Sequence, residues 1–264
     1  MFKALSTILF VATLLTASHA AATENLIGEE LVTDANVFSF ADRMYAETKR
    51  ILAEDSSDGW MTISSSDEIL NEGKAVDGVF AASGVNVTRA SAVLDVPAQQ
   101  LFDYLITPTG YQLIDPLSKP EDFSKPPLEN FSTDNWRSPG TEGKRLEVAR
   151  TETNIPGIRT REFVVLNAID SAERLFVSKS IQHKADPGCS LYGGACYNAS
   201  EVPLRALNTF AVQIEPLESN ASQCVVQLVN YADLTPPEVP AAAQNGINNN
   251  FLTDMISRMR AAFP

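Results

Sequence analysis

The chain has 264 residues, 44% of them hydrophobic, and carries 33 acidic against 20 basic side chains for a net charge of −13. That length accommodates one large domain or two small ones. A field of that sign repels phosphate backbones, and no basic run offsets it locally, so nucleic acid is excluded as a partner and electrostatic adhesion to anionic membrane is disfavoured.

Taken in chain order, Lys3, the apolar run Ala4–Thr16 and the small-x-small pattern Ser18-His19-Ala20 read as a secretory signal peptide over residues 1–20, cut after Ala20 or Ala22. The apolar run is shorter than the roughly 20 residues a spanning helix requires. No later stretch approaches that length, and a soluble, secreted (extracellular) protein is expected. Residues 21–36 are expected to be a flexible N-terminus, with one domain over residues 37–264.

Phe38 to Leu52 places Phe38, Ala41, Met44, Tyr45, Thr48, Ile51 and Leu52 at helical spacing. Strands are expected from Trp60, over Ala75–Ala82 and over Val87–Val96. Pro97 then opens a short helix with Leu101, Phe102 and Leu105 as its buried stripe. Ser118–Gly143, rich in Pro, Ser and Asp, reads as a long irregular connection. Five strands follow near Lys144–Thr151, Thr160–Ile169, Arg174–Gln182, Leu204–Ile214 and Gln223–Tyr231, some joined by short turns, which predicts an antiparallel meander. A terminal helix from about Ala241 to Phe263 carries Ile247, Phe251, Leu252, Met255, Ile256, Met259 and Phe263 on one stripe. The order predicts an α+β fold in which a curved antiparallel sheet wraps a long C-terminal helix.

Three cysteines follow the leader. In an oxidising compartment Cys189 and Cys196 are expected to close the Gly-rich loop between them, leaving Cys224 free in an apolar strand, although three pairings exist on paper. Four glycosylation sequons, at Asn86, Asn130, Asn198 and Asn220, fall in segments read as turns or loops.

Several short signatures, in order, resemble the START family of lipid-transfer domains related to the steroidogenic acute regulatory protein. They are Gly59-Trp60, Val96-Pro97-Ala98 with Leu101-Phe102 and Leu105, Asp115-Pro116, Arg161-Glu162-Phe163-Val164, Ser180 with His183 and Pro187, Arg205-Ala206, and Asp233 ahead of Val239-Pro240. Ile114 stands where the family usually has Trp, and the residues from Cys189 to Cys196 look like an insertion. The resemblance covers about Trp60 to Phe263. It implies a helix-grip fold with a lipid-sized cavity between sheet and terminal helix, entered past a loop that here is Asn154–Thr160.

Alternation along the strand puts Arg161, Phe163, Val165, Asn167 and Ile169 on one face. The resemblance turns that face toward the ligand. The implied lipid-binding set is Glu147, Arg161, Phe163, Val165 and Asn167 with Phe251, Met255 and Met259, and the implied gate is Ile155, Pro156, Gly157 and Ile158. Catalysis has little to build on. His183 is the only histidine after the leader, and no nucleophile-elbow, zinc-protease or phosphate-loop motif is present. The expected function is a lipid-binding or lipid-transfer protein that takes a sterol, phospholipid or fatty acid without chemistry. It is expected to be a monomer touching membrane surfaces transiently, with no cofactor and no metal. A helix-grip cyclase or hydrolase, and a secreted interaction protein with a filled cavity, are the alternatives.

Overall fold

The computed structural model describes residues 30–66, 68–76, 83–114, 127–133, 143–155, 157–183, 204–234 and 239–263. In chain order the elements are β1 (Glu30–Leu31), α1 (Val37–Ala53), β2 (Met61–Ser66), β3 (Ile69–Ala75), β4 (Asn86–Leu94), α2 (Ala98–Leu105), α3 (Pro108–Ile114), β5 (Glu129–Phe131), β6 (Lys144–Thr153), β7 (Arg161–Asp170), β8 (Leu175–Gln182), β9 (Leu204–Arg205), β10 (Leu207–Leu217), β11 (Asn220–Asp233) and α4 (Ala241–Ala262). One sheet runs β2-β3-β4-β11-β10-β8-β7-β6-β5 with antiparallel neighbours, while β1 adds in parallel to β8 and β9 in parallel to β7.

The sheet is covered on both faces. On one face α1 lays Phe40, Ala41, Met44 and Tyr45 against Val164, Leu166, Ala168, Val177 and Ile181. On the other, α2 and the C-terminal half of α4 pack against Ile169, Phe176, Phe210, Val212 and Val226. Strand β7 therefore has all ten residues buried. That double cover explains an antiparallel strand as apolar as one from a parallel sheet.

Helix α1 is pinned at its C-terminal end by charge. Arg89 on β4 donates to the carbonyls of Ile51 (3.1 Å), which also accepts from the Glu54 N–H, and of Glu54 (2.6 Å), at the helix end where carbonyls lack i+4 donors. Glu54 in turn accepts from Trp60 Nε1 at 2.8 Å and Lys74 Nζ at 2.9 Å, and also pairs with Arg50. Beneath α1, Lys179 lies 5.2 Å from the Phe40 ring and 3.6 Å from Glu30, and burial pushes its ammonium below the usual lysine range.

Several expectations are corrected. Strand β3, Ile69–Ala75, is not among the expected strands and forms a hairpin with β2, while residues 77–82 of the strand expected at Ala75–Ala82 lie outside the described residues. The connection 118–143 contains β5, which pairs with β6. Residues 30–36, expected as part of a flexible lead, are anchored: β1 pairs with β8, Val32 is buried, and Asn36 Oδ1 accepts from the Thr33 backbone at 2.7 Å. Asn86 and Asn130 stand in strands rather than loops, and Asn220 begins β11 at a tight turn. The leader, Cys189, Cys196 and Asn198 fall outside the described residues. Cys224 is a free, buried thiol whose pKa burial raises to about 11.

Candidate functional site

A cavity of about 110 Å³ lies between the N-terminal half of α4 and the far half of the sheet. Strand β6 contributes Thr151 and Thr153, β7 contributes Phe163, Val165 and Asn167, and β8 contributes Phe176 and Ser178. Asn208 and Phe210 come from β10, and Asn230 and Ala232 from β11. Ile247, Asn248 and Phe251 of α4 form the facing wall, with Ile155 and Leu234 completing the lining. None of the described lining residues is titratable.

Alternation explains this assembly. Residues 163, 165 and 167 point away from α1, so they meet whatever covers the opposite face. Register then brings the polar positions level: Glu147 stands opposite Asn167, Asn167 opposite Ser178, Ser178 opposite Phe210, and Phe210 opposite Asn230. Asn167 Nδ2 donates to Glu147 Oε1 at 3.2 Å, and Asn248 Nδ2 donates to the Ala232 carbonyl at 3.2 Å. Phe176, Phe210 and Phe251 form a septum, with Phe210 6.2 Å from Phe176 and 6.1 Å from Phe251. Beyond it the space is filled, because Leu101, Phe102 and Leu105 of α2 meet Leu252, Met255, Ile256 and Met259.

The closing loop rests on an apolar cluster. Ile155 and Ile158 pack with Phe163, Val165, Leu234, Val239 and Ile247. Ile158 N–H donates to the Ile155 carbonyl at 3.2 Å, and Gly157 takes φ +86°, a left-handed conformation glycine enters without penalty. Thr160 Oγ1 donates to Asn154 Oδ1 at 2.7 Å, tying the two ends of the loop. The connector after β11 is also held by side chains. Leu234 gives its carbonyl to Arg161 Nε at 2.6 Å and its N–H to Gln244 Oε1 at 2.8 Å, while Gln244 Nε2 donates to the Val239 carbonyl at 2.8 Å.

Of the residues expected at the site, Phe163, Val165, Asn167, Phe251 and Ile155 line the cavity, and Glu147 touches it through Asn167. Arg161 is fully buried but does not line it, because its guanidinium donates to the carbonyls of Leu234 and Arg159. Met255 and Met259 are a correction: both lie on the filled side of the septum, packed by α2. Ile158 and Gly157 belong to the loop without lining the cavity, and Pro156 lies outside the described residues. His183 is buried at the end of β8, edge-on to Phe131 and 3.8 Å from Glu129, and does not line the cavity. Sequence reasoning missed Ser178, Asn208, Asn230 and Asn248. The last had a readable signal, since Gln244, Asn248 and Leu252 recur at four-residue intervals on one face of α4.

No family model and no curated protein matches the sequence. Solved structures do match in fold. Human StAR-related lipid transfer protein 5 superposes with a TM-score of 0.60 at 14% identity, covering 87% of this chain and 97% of its own. Human STARD10 gives 0.57 at 14% identity over 88% and 80%. The lipid transfer and protein localization domain of human StarD13 gives 0.50 at 17% identity over 84% and 96%. The architecture is the START-like helix-grip fold.

Proposed function

We propose that the protein encloses one sterol or acyl lipid in this cavity and passes it between membranes without altering it. The observation that carries the reading is the lining itself: aliphatic and aromatic side chains around a small set of neutral amides and hydroxyls, with no titratable group among the described residues, in a fold shared with StAR-related lipid transfer structures. A lipid polar group entering such a space needs replacement hydrogen bonds or forfeits about 1–3 kcal/mol. The present volume of about 110 Å³ is below the roughly 300–1,000 Å³ of ordinary ligand sites. A whole lipid therefore requires a wall to move, and the loop around Ile155 with the head of α4 is the wall we assign to that role. Transient contact with a membrane surface, through the loop isoleucines, would provide the exit, and the monomer suffices for it.

Incubation with labelled sterols, phospholipids and fatty acids should give saturable one-to-one binding of at least one class with no product formed. Turnover, or binding of none, would defeat the proposal. A flexible cross-link between cysteines replacing Ile155 and Ile247 should slow transfer between vesicles while retaining lipid already bound. We further propose secretion through the N-terminal leader, a Cys189–Cys196 disulfide, and glycosylation at the sequons, with Asn130 and Asn220 favoured because both are exposed whereas Asn86 is half-buried. Peptide mapping of protein from a eukaryotic secretory host reads all three.

A further inference from the structure

The cavity presents hydrogen-bond acceptors at two places. Asn167 spends its Nδ2 on the Glu147 carboxylate and Asn248 spends its Nδ2 on the Ala232 carbonyl. Both partners can only accept, so both amides are turned with the nitrogen to the protein, leaving the oxygen and one N–H over. Asn167 is 4% exposed and Asn248 1%, and among the described residues neither Oδ1 has a partner. One stands on the sheet and the other on the facing helix. Beside them Ser178, 6% exposed, and Asn230, 3% exposed, have side chains without a hydrogen-bond partner among the described residues. Strand spacing of about 4.8 Å places Ser178 next to Asn167 and puts Asn230 two strands farther along the row, past Phe210. The cavity thus has two separated polar spots, and each contains an amide oxygen waiting for a donor.

Charge points the same way. The one ionisable group bonded to the polar row is the Glu147 carboxylate, and the nearby Arg161 guanidinium is turned to backbone carbonyls instead of the cavity. An anionic head group would lose its water and could accept from Ser178 or Asn230, but it would lie near the Glu147 carboxylate and leave both amide oxygens without a donor. A ketone or ester could accept from the same groups and would likewise leave the Asn167 and Asn248 oxygens unsatisfied, whereas a hydroxyl can donate and accept.

We propose that the cavity selects an uncharged lipid bearing at least two separated hydroxyl groups, in preference to fatty acids, anionic phospholipids and lipids whose oxygens are only acceptors. The inference rests on the lipid-binding reading above and narrows its ligand.

The test compares matched probes on the full-length protein: 25-hydroxycholesterol against cholesterol and cholestenone, and ricinoleyl alcohol, with hydroxyls at C1 and C12, against oleate and methyl oleate. Competition binding should favour the dihydroxy member of each set by about tenfold or more over the ionised and acceptor-only members. Asn248→Leu and Ser178→Ala, separately, should reduce that preference by weakening the dihydroxy member more than cholesterol. Equal affinity across each set, or oleate binding tightest, would overturn the hydroxyl inference and leave lipid binding standing. Binding of none of the six probes would overturn the hydroxyl inference, and failure of labelled phospholipid as well would remove the lipid-binding reading. Unfolding curves for each variant separate a lost preference from a lost fold, and an Asn248→Leu variant that stays folded and keeps the full preference would also overturn the inference.

Discussion

The two halves of α4 run along one sheet and do different things. Past Phe251 the helix is core: Leu252, Met255, Ile256 and Met259 are at most 1% exposed and locked against α2. Before it, Gln244 is bonded to Leu234 and Val239, and the space in front of Ile247 and Asn248 is hollow. The difference comes from α2, whose Leu101 and Phe102 reach only the C-terminal half. One helix therefore supplies both an anchor and a wall, and the same kind of substitution should cost very different amounts on the two sides of the septum.

The largest contrast is the pair Phe102→Ala and Phe251→Ala. Phe102 is 1% exposed in the filled half, and truncating it should cost about 3–5 kcal/mol. Phe251 already borders a void, so its loss should cost about 1–2 kcal/mol while enlarging the cavity. Urea unfolding of both variants measures this, and equal costs would break the distinction between the halves. Next in size is Arg161→Leu, which strips the donors from the Leu234 and Arg159 carbonyls and should cost about 2–3 kcal/mol. Lipid exchange should accelerate in the same variant, because the lost bonds hold the hollow half.

Acid should separate the sheet's two faces. Burial alone would raise the Glu54 carboxyl, but hydrogen bonds from Lys74 and Trp60 outweigh it and hold the group below its ordinary value of 4.5. A carboxyl lowered in the folded state contributes stability that is complete above its unfolded pKa and lost as pH falls through the folded one. Glu54→Gln should therefore cost about 1–2 kcal/mol at pH 7 and converge on the parent in unfolding scans below pH 4.5. Ligand affinity, set on the opposite face of the sheet from Glu54, should be the same for parent and Glu54→Gln over the same range. The smallest effect is Gly246→Ala. A Cβ there meets nothing within 4 Å, so helix propensity alone should add about 0.5–1 kcal/mol. Stiffening the head of α4 should also slow vesicle-to-vesicle transfer measurably.

What could be read from the residues follows the same divide. Alternation placed Phe163, Val165 and Asn167 on one face, and the structure keeps them together. Met255 and Met259 were assigned to the ligand because periodicity reports that a helix face is buried, not which neighbour buries it. The start of β2 is legible beside Trp60, but β3 is not, because Asn71, Glu72, Gly73 and Lys74 follow one another without an apolar residue. Strand β1 is two residues long and too short to announce itself. Ser178 and Asn230 became site residues only through cross-strand register, which a single strand's sequence does not contain.

Leu234 has a mechanical consequence. Its carbonyl is gripped from the root of β7 by Arg161 and its N–H from the first turns of α4 by Gln244, so loop, connector and helix meet at one joint. Parts coupled at a shared joint lose independent freedom and move as a single body. Release of the cargo should then follow one exponential, and damage to Arg161, Gln244 or the closing loop should change the same rate constant without creating a second phase.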